Sequence, residues 1–178
     1  MLSQIKQAWK LKDVRRKILY TLMMIVVFRI GATIPVPGVN TNIIKGMVDS
    51  NGLLSLYNMF TGGAFSQFTL FALGIGPAIT ASIIIQLLTI GFESLGELQK
   101  SGEEGKKKIN KYTKYIALVL AFIQAIAITL GIVKGALISK SAFFIITVIL
   151  TLVSASMLLM WIGDKITEKG LGNGSSII

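Results

Sequence analysis

The chain of 178 residues is 53% hydrophobic and only 15% charged, with a formal net charge of +10. Soluble domains carry about a quarter charged residues, so this balance is that of a membrane protein. Cysteine and histidine are both absent, which excludes disulfides, thiolate and imidazole metal sites, and Ser–His or Cys–His nucleophile pairs; no catalytic, metal-binding or cofactor-binding residue is assigned.

Leu2, Ile5 and Trp9 recur at helical spacing with Lys6 and Lys10 on the other side, predicting a short amphipathic helix over 1–14 in the cytoplasmic interface. The apolar segment 18–35 is predicted to span as a helix over about 18–37, since eighteen residues rise about 27 Å against a hydrocarbon core of roughly 30 Å. It is too long for a signal-peptide core, and no small-residue cleavage site precedes a soluble domain. Pro35, Pro37 and Gly38 end it. An external segment of about 30 residues follows, 39–68, long enough to need a purpose.

A second apolar run ends at Phe92. Residues 93–112 then mix Glu93, Glu97, Glu103 and Glu104 with lysines and three glycines. That composition fits either a solvated, flexible hairpin or a docking loop for a cytosolic partner. Third and fourth spans are predicted at about 113–133 and 142–164, joined by a short external turn over 131–141. A cytoplasmic loop over 165–172 and the start of a fifth helix over 173–178 complete the chain, which reads as a protein cut short. "GLGNG" at 170–174 has no preceding strand and no βαβ context, so it is not a nucleotide loop.

Basic residues divide unevenly over these elements. Lys6, Lys10, Lys12, Arg15, Arg16 and Lys17 precede the first span, Lys100, Lys106, Lys107, Lys108, Lys111 and Lys114 lie between the second and third, and Lys165 and Lys169 follow the fourth. Lys45, Lys134 and Lys140 fall on the other face. The positive-inside rule makes the N-terminus cytoplasmic. The net charge therefore reports topology first, and anionic lipid or a cytosolic partner second.

The stretch "FALGIGPAITASIII", 71–85, lies in an uncharged run from 50 to 92. A single helix over 64–92 would reach about 43 Å, too long for the core without steep tilt. Pro77 has no N–H to offer the Leu73 carbonyl, and Gly74 and Gly76 make departure from helix inexpensive. A simple kink is one reading; the other is a true break, which lipid tolerates where it lines a cavity or is buried in protein. Just before it, Asn58, Thr61, Gly62, Gly63, Ser66 and Gln67 make the chain too polar and short to span, favouring a segment that dips in from outside and returns. After the break, Ile79, Ser82, Gln86 and Thr89 fall within about 40° of Ile75 on a helical wheel, with Ala81, Ile84 and Leu88 opposite. This stripe fits a water-filled cytoplasmic vestibule that narrows to isoleucine. It fits equally a set of polar groups that bond neighbouring helices.

"VFRIGATIPVPGV", "MFTGGAFSQFTLFALGIGPAITASIIIQLL", "GKKKINKYTKY" and "LMWIGDKITEKGLGNG" resemble, in order, signatures of the SecY family, the central subunit of the protein-translocation channel. The resemblance runs from about Arg15 to the last residue. It implies an all-α, multi-pass membrane bundle of ten spans in two inverted halves, of which this chain resembles the first four and the start of the fifth. The segment 56–70 is similar to the family's plug, with Tyr57, Asn58, Met59, Phe60, Thr61, Gly62, Gly63 and Ala64 at its centre. Ile75 and Ile79 match two pore-ring positions, while Thr80, Ile83 and Gln124 match the lateral gate. Ser175 stands where the family commonly has a ring isoleucine, so that role is not carried over. Arg29 matches a family residue of less clear role; no acidic residue sits at its depth, leaving water, a carbonyl or the remaining helices as its partner.

The function implied is a non-enzymatic channel in a bacterial plasma membrane, passing unfolded polypeptide across and membrane segments sideways into lipid. The implied partners are the remaining SecY helices, the SecE and SecG subunits, the SecA ATPase motor, the ribosome, signal peptides and nascent chains. The alternative is half of an inverted-repeat secondary transporter, which also uses broken helices. An intramembrane protease is weaker, since only Asp164 is near a span.

Overall fold

The computed structural model describes residues 11–138 and 141–178. Leu2, Ile5, Lys6, Trp9 and Lys10 of the expected interfacial helix lie outside the described residues, as does Lys140.

Helix α1, Lys12–Gly31, places Asp13 in its first turn and Arg29 in its last, each suited to the helix dipole there. It starts and stops earlier than the 18–37 expected. The reason lies in the residues after it: Pro35 disfavours helix at Ile34, and the extended stretch pairs with chain around Thr69. Val36 N–H donates to Phe68 O and Leu70 N–H to Ile34 O, both at 2.9 Å, around an antiparallel bridge between Pro35 and Thr69. A second bridge joins Val39 to Leu137.

Helix α2, Thr41–Ser50, is capped by the Asn40 side chain and buries Ile44 and Val48 one turn apart. Helix α3, Gly52–Phe60, is capped by the Asn51 side chain. Residues 61–75 form consecutive turns, so the expected plug, 56–70, is the end of a helix followed by a folded loop. Helix α4, Gly76–Gly91, has Pro77 in its first turn, where the missing N–H costs nothing. Helix α5, Glu93–Lys100, bends from it by 106°.

Residues 93–112, expected as a loop, are helical on both sides of Ser101–Gly102. Helix α6, Glu103–Gly131, starts ten residues before the expected third span, because Glu103 and Glu104 suit a helix N-terminus and the lysines simply continue the helix. Helix α7, Ala142–Lys169, similarly runs through most of the expected 165–172 loop, and α8, Gly174–Ile177, is capped by Asn173.

Helices α6 and α7 are each long and apolar enough to cross a membrane. The other two expected spans differ in character: α4 is cut to 16 residues by the break, and α1 carries Lys12, Arg15, Arg16 and Lys17 in its first turns.

Packing rests on small residues. Ala117, Ala121 and Ala125 recur every fourth position on α6 and are buried, letting backbones approach closely. Ala117 meets Ala78 and Ala81 of α4 and Met160 of α7. Ala121 and Ala125 join a larger core of Phe65, Phe68, Val148 and Leu152. At one end, Lys114 of α6 pairs with Asp164 of α7 at 2.7 Å and Leu171 N–H donates to Thr21 Oγ1 of α1 at 3.1 Å. The two bridges mark the opposite end. Among the described residues, the lysines of alternate loops thus gather at one end of an all-α bundle.

Candidate functional site

The loop over 61–75 consumes its own polarity. Asn58 Oδ1 accepts from Ser66 N–H at 2.8 Å, Thr61 Oγ1 accepts from Phe65 N–H at 3.2 Å, and the Ser66 hydroxyl donates to Gly63 O at 3.0 Å. The polar residues that make this stretch unfit to span are therefore turn-formers. Phe65, Phe68 and Phe71 are 0–2% exposed and anchor the loop. The loop leaves through Gly74 at φ +62°, a left-handed conformation that costs glycine little.

Three successive carbonyls at the break, those of Ala72, Leu73 and Gly74, receive no backbone N–H among the described residues. The Tyr57 hydroxyl donates to Leu73 O at 3.1 Å and lies 3.4 Å from Ala72 O. From the other side the Ser156 hydroxyl donates to Gly74 O at 3.4 Å. The orphan carbonyl that the sequence predicts at Leu73 thus has a partner, supplied by α3. Burial raises the Tyr57 phenol above its ordinary value, so it stays a donor at neutral pH.

Ile75 is the N-cap residue of α4 and is half-buried. Ile79, one turn on, is 43% exposed. The rest of α4 divides into two faces: Pro77, Ala78, Ala81 and Ile85 are buried, whereas Ile79, Thr80, Ile83, Gln86 and Leu87 are open. Ile79, Thr80 and Ile83 are accordingly together on the unpacked side of α4, whereas Ile75 packs against the cluster of Ala78, Ala81, Ala117 and Met160. Gln124 is half-buried on α6.

A cavity of about 250 Å³ lies against the break, lined by Arg29, Met59, Phe60, Gly74, Ile75 and Ile178 among others. It brings the end of α3 and the first isoleucine of α4 to one space. Arg29 is exposed and stands 5.8 Å over the Phe28 ring, stabilised there by the ring face and the α1 C-terminus.

Ser82, Gln86 and Thr89 also come together. Gln86 Nε2 donates to Ser82 Oγ at 3.3 Å and the Thr89 hydroxyl to Gln86 O at 2.7 Å. They line a second cavity, of about 340 Å³, with Gln99, Lys106, Asn110 and Thr113. Gln99, Lys106 and Asn110 are not site candidates while 93–112 reads as a loop, and Thr113 stands at the start of the expected third span. Once 103–113 is helical, the spacing of Lys106, Asn110 and Thr113 places them on one face.

"GLGNG" proves to be a close-packed turn. A Cβ on Gly174 would lie 1.9 Å from Gly163 O, and one on Gly163 would meet both Ile75 Cδ1 at 3.5 Å and Ser175 Oγ at 3.6 Å. Ser175 and Ile75 thus both lie against Gly163, and the approach of Gly174 to the Gly163 carbonyl is one that only a hydrogen side chain allows.

The family model described as SecY matches residues 69–178. The protein translocase subunit SecY of Escherichia coli (strain K12) is 43% identical over 94% of this chain and 40% of its own length. That of Aquifex aeolicus (strain VF5) is 41% identical over the whole chain and 44% of its own length. The chain thus spans less than half the length of these relatives. Among solved structures, Sec61 in the canine ribosome-channel complex from the endoplasmic reticulum superposes with a TM-score of 0.67 at 22% identity, covering 93% of this chain and 35% of that one. The family match opens at Thr69, on the loop that leads into the break, and runs unbroken through the two long apolar helices to the last residue: this chain belongs to the SecY family.

Proposed function

We propose that the chain forms the N-terminal part of the pore-forming subunit of a protein-conducting channel, which passes unfolded secretory polypeptide across a bacterial plasma membrane and releases membrane segments sideways into lipid. Ile75 and Ile79 act as two members of an apolar ring, and residues 56–70 act as its external plug. Thr80, Ile83 and Gln124 border the lateral exit. Ser82, Gln86 and Thr89 border the cytoplasmic vestibule, and Gly74, Gly76 and Pro77 provide the break that sets ring and plug side by side. The single observation that carries this reading is the cavity at the break, where Met59 and Phe60 of α3 face Ile75 of α4. An apolar neck resists wetting while it is empty, and the isoleucines are what a translocating chain meets.

The partners in this role are the remaining SecY helices, which supply the other side of the ring, with SecE and SecG around them. The SecA ATPase or a ribosome drives transport, and signal peptides and nascent chains are the cargo. A photocrosslinking side chain at Ile79 in the full-length protein is expected to capture an arrested secretory polypeptide, and one at the buried position Ala121 is not. Equal capture at both positions, or none at Ile79, removes the pore assignment.

The gathered lysines support a cytoplasmic N-terminus. Single cysteines at Lys107 and Lys45 are expected to label from opposite sides with a membrane-impermeant maleimide, position 45 from outside intact cells. Labelling of position 107 from outside reverses the topology.

A further inference from the structure

Helix α3 is held to the rest of the molecule by little. Leu53, Leu56, Met59 and Phe60 are 77%, 55%, 78% and 88% exposed, and only Leu54 and Tyr57 of this helix pack against the main core. Asn58 bonds no farther than Ser66, within the loop that follows α3. Among the described residues, the side-chain hydrogen bonds from α3 that reach beyond that loop's first turns are those of Tyr57, to Leu73 O at 3.1 Å and Ala72 O at 3.4 Å. The ring itself meets Phe65 edge-on, with centroids 4.9 Å apart.

The acceptors are unusual in needing this donor. Leu73 precedes Pro77 by four residues, so continuing the helix through the break could not satisfy its carbonyl. No backbone N–H among the described residues reaches it or Ala72 O. Both residues are about 1% exposed, so displacing α3 leaves two carbonyls beside the isoleucine neck without a donor until water reaches them.

We propose that the Tyr57 hydroxyl is a latch: a positioning residue that couples the closed placement of α3 to the carbonyls freed by the helix break. The proposal rests on residues 56–70, which begin in the last turns of α3, being the plug, and adds the atom that holds it shut. Its consequence is that the break has two jobs. It turns the chain at the isoleucines, and it presents the acceptors on which the plug closes. Leaving the neck open and leaving those carbonyls unpaired are then one event, so closure is favoured without any large apolar contact between α3 and α4.

The test compares three full-length proteins in lipid nanodiscs: wild type, Tyr57→Phe, and a protein with p-aminophenylalanine at position 57, whose amine restores a donor at nearly the same place. Phenylalanine keeps the packing on Phe65 and removes only the hydrogen bond. Amide hydrogen exchange over 52–60 is expected to quicken roughly five- to tenfold in Tyr57→Phe, the factor for one buried hydrogen bond, with α6 and α7 unchanged and with p-aminophenylalanine returning the rate towards wild type. Resting conductance of the same proteins in planar bilayers is expected to rise and fall in parallel. Unchanged exchange over 52–60 in Tyr57→Phe, or no recovery with p-aminophenylalanine, overturns the latch. Exchange that quickens and recovers while conductance stays at the wild-type level upholds the latch and overturns the reading of residues 56–70 as the plug.

Discussion

Ile75→Asn together with Ile79→Asn in the full-length protein is expected to raise resting ion conductance at least tenfold and to relax the requirement for a functional signal sequence. Burying an isoleucine side chain is worth about 1.5–3 kcal/mol, and each 1.4 kcal/mol is about a factor of ten in an equilibrium. Two amides in the neck therefore shift its wetting equilibrium strongly towards water. The two positions separate stability from sealing. Ile75 packs on Gly163, so Ile75→Asn also loosens α4 against α7. Ile79 is 43% exposed, so Ile79→Asn alone should leak with little change in thermal unfolding. Planar-bilayer conductance beside a melting curve distinguishes these effects, and wild-type conductance in the double variant would remove the ring from the mechanism.

Residues 1–178 expressed alone are expected neither to seal a membrane nor to translocate. The open side of α4 presents Thr80 and Gln86 between Ile79, Ile83 and Leu87, a mixture that suits neither lipid nor water, and α3 holds Met59 and Phe60 out at 78% and 88% exposure. Covering both requires further helices, consistent with relatives more than twice as long. Purified residues 1–178, reconstituted with a motor ATPase and a secretory substrate, should give no protected product. Coexpression of the remaining helices as a second chain should restore it. Transport by residues 1–178 alone would require an oligomer of this unit and would refute a single-chain pore.

Several features were legible in the residues because they depend on local chemistry. Four apolar segments, the alternate-loop lysines and the break at Gly74–Pro77 follow from hydropathy, charge and the missing proline N–H. The α4 wheel placed Ala81, Ile84 and Leu88 opposite Ile75; Ala81 is buried, but Ile84 and Leu88 are half-buried and the packed side turns instead through Ala78 and Ile85. The even choice over Ser82, Gln86 and Thr89 resolves only in part. They bond within their own helix and border a shared polar cavity with α5 and α6, an arrangement that the wheel of one helix could not contain.

By itself the sequence determined an all-α membrane chain and the place of its interruption, since each of these depends on neighbours within a few residues. Only the tertiary structure decided where α1 stops, because Ile34 and Val36 exchange hydrogen bonds with Leu70 and Phe68, more than thirty positions away. It also decided that 93–100 and 103–112 are helical, where exposed charges serve a helix end as readily as a loop. And it decided that the carbonyls of the break are satisfied by Tyr57 and Ser156. An unpaired carbonyl can be predicted from one proline, but its donor is whichever hydroxyl the fold brings within about 3 Å, and no local pattern names it.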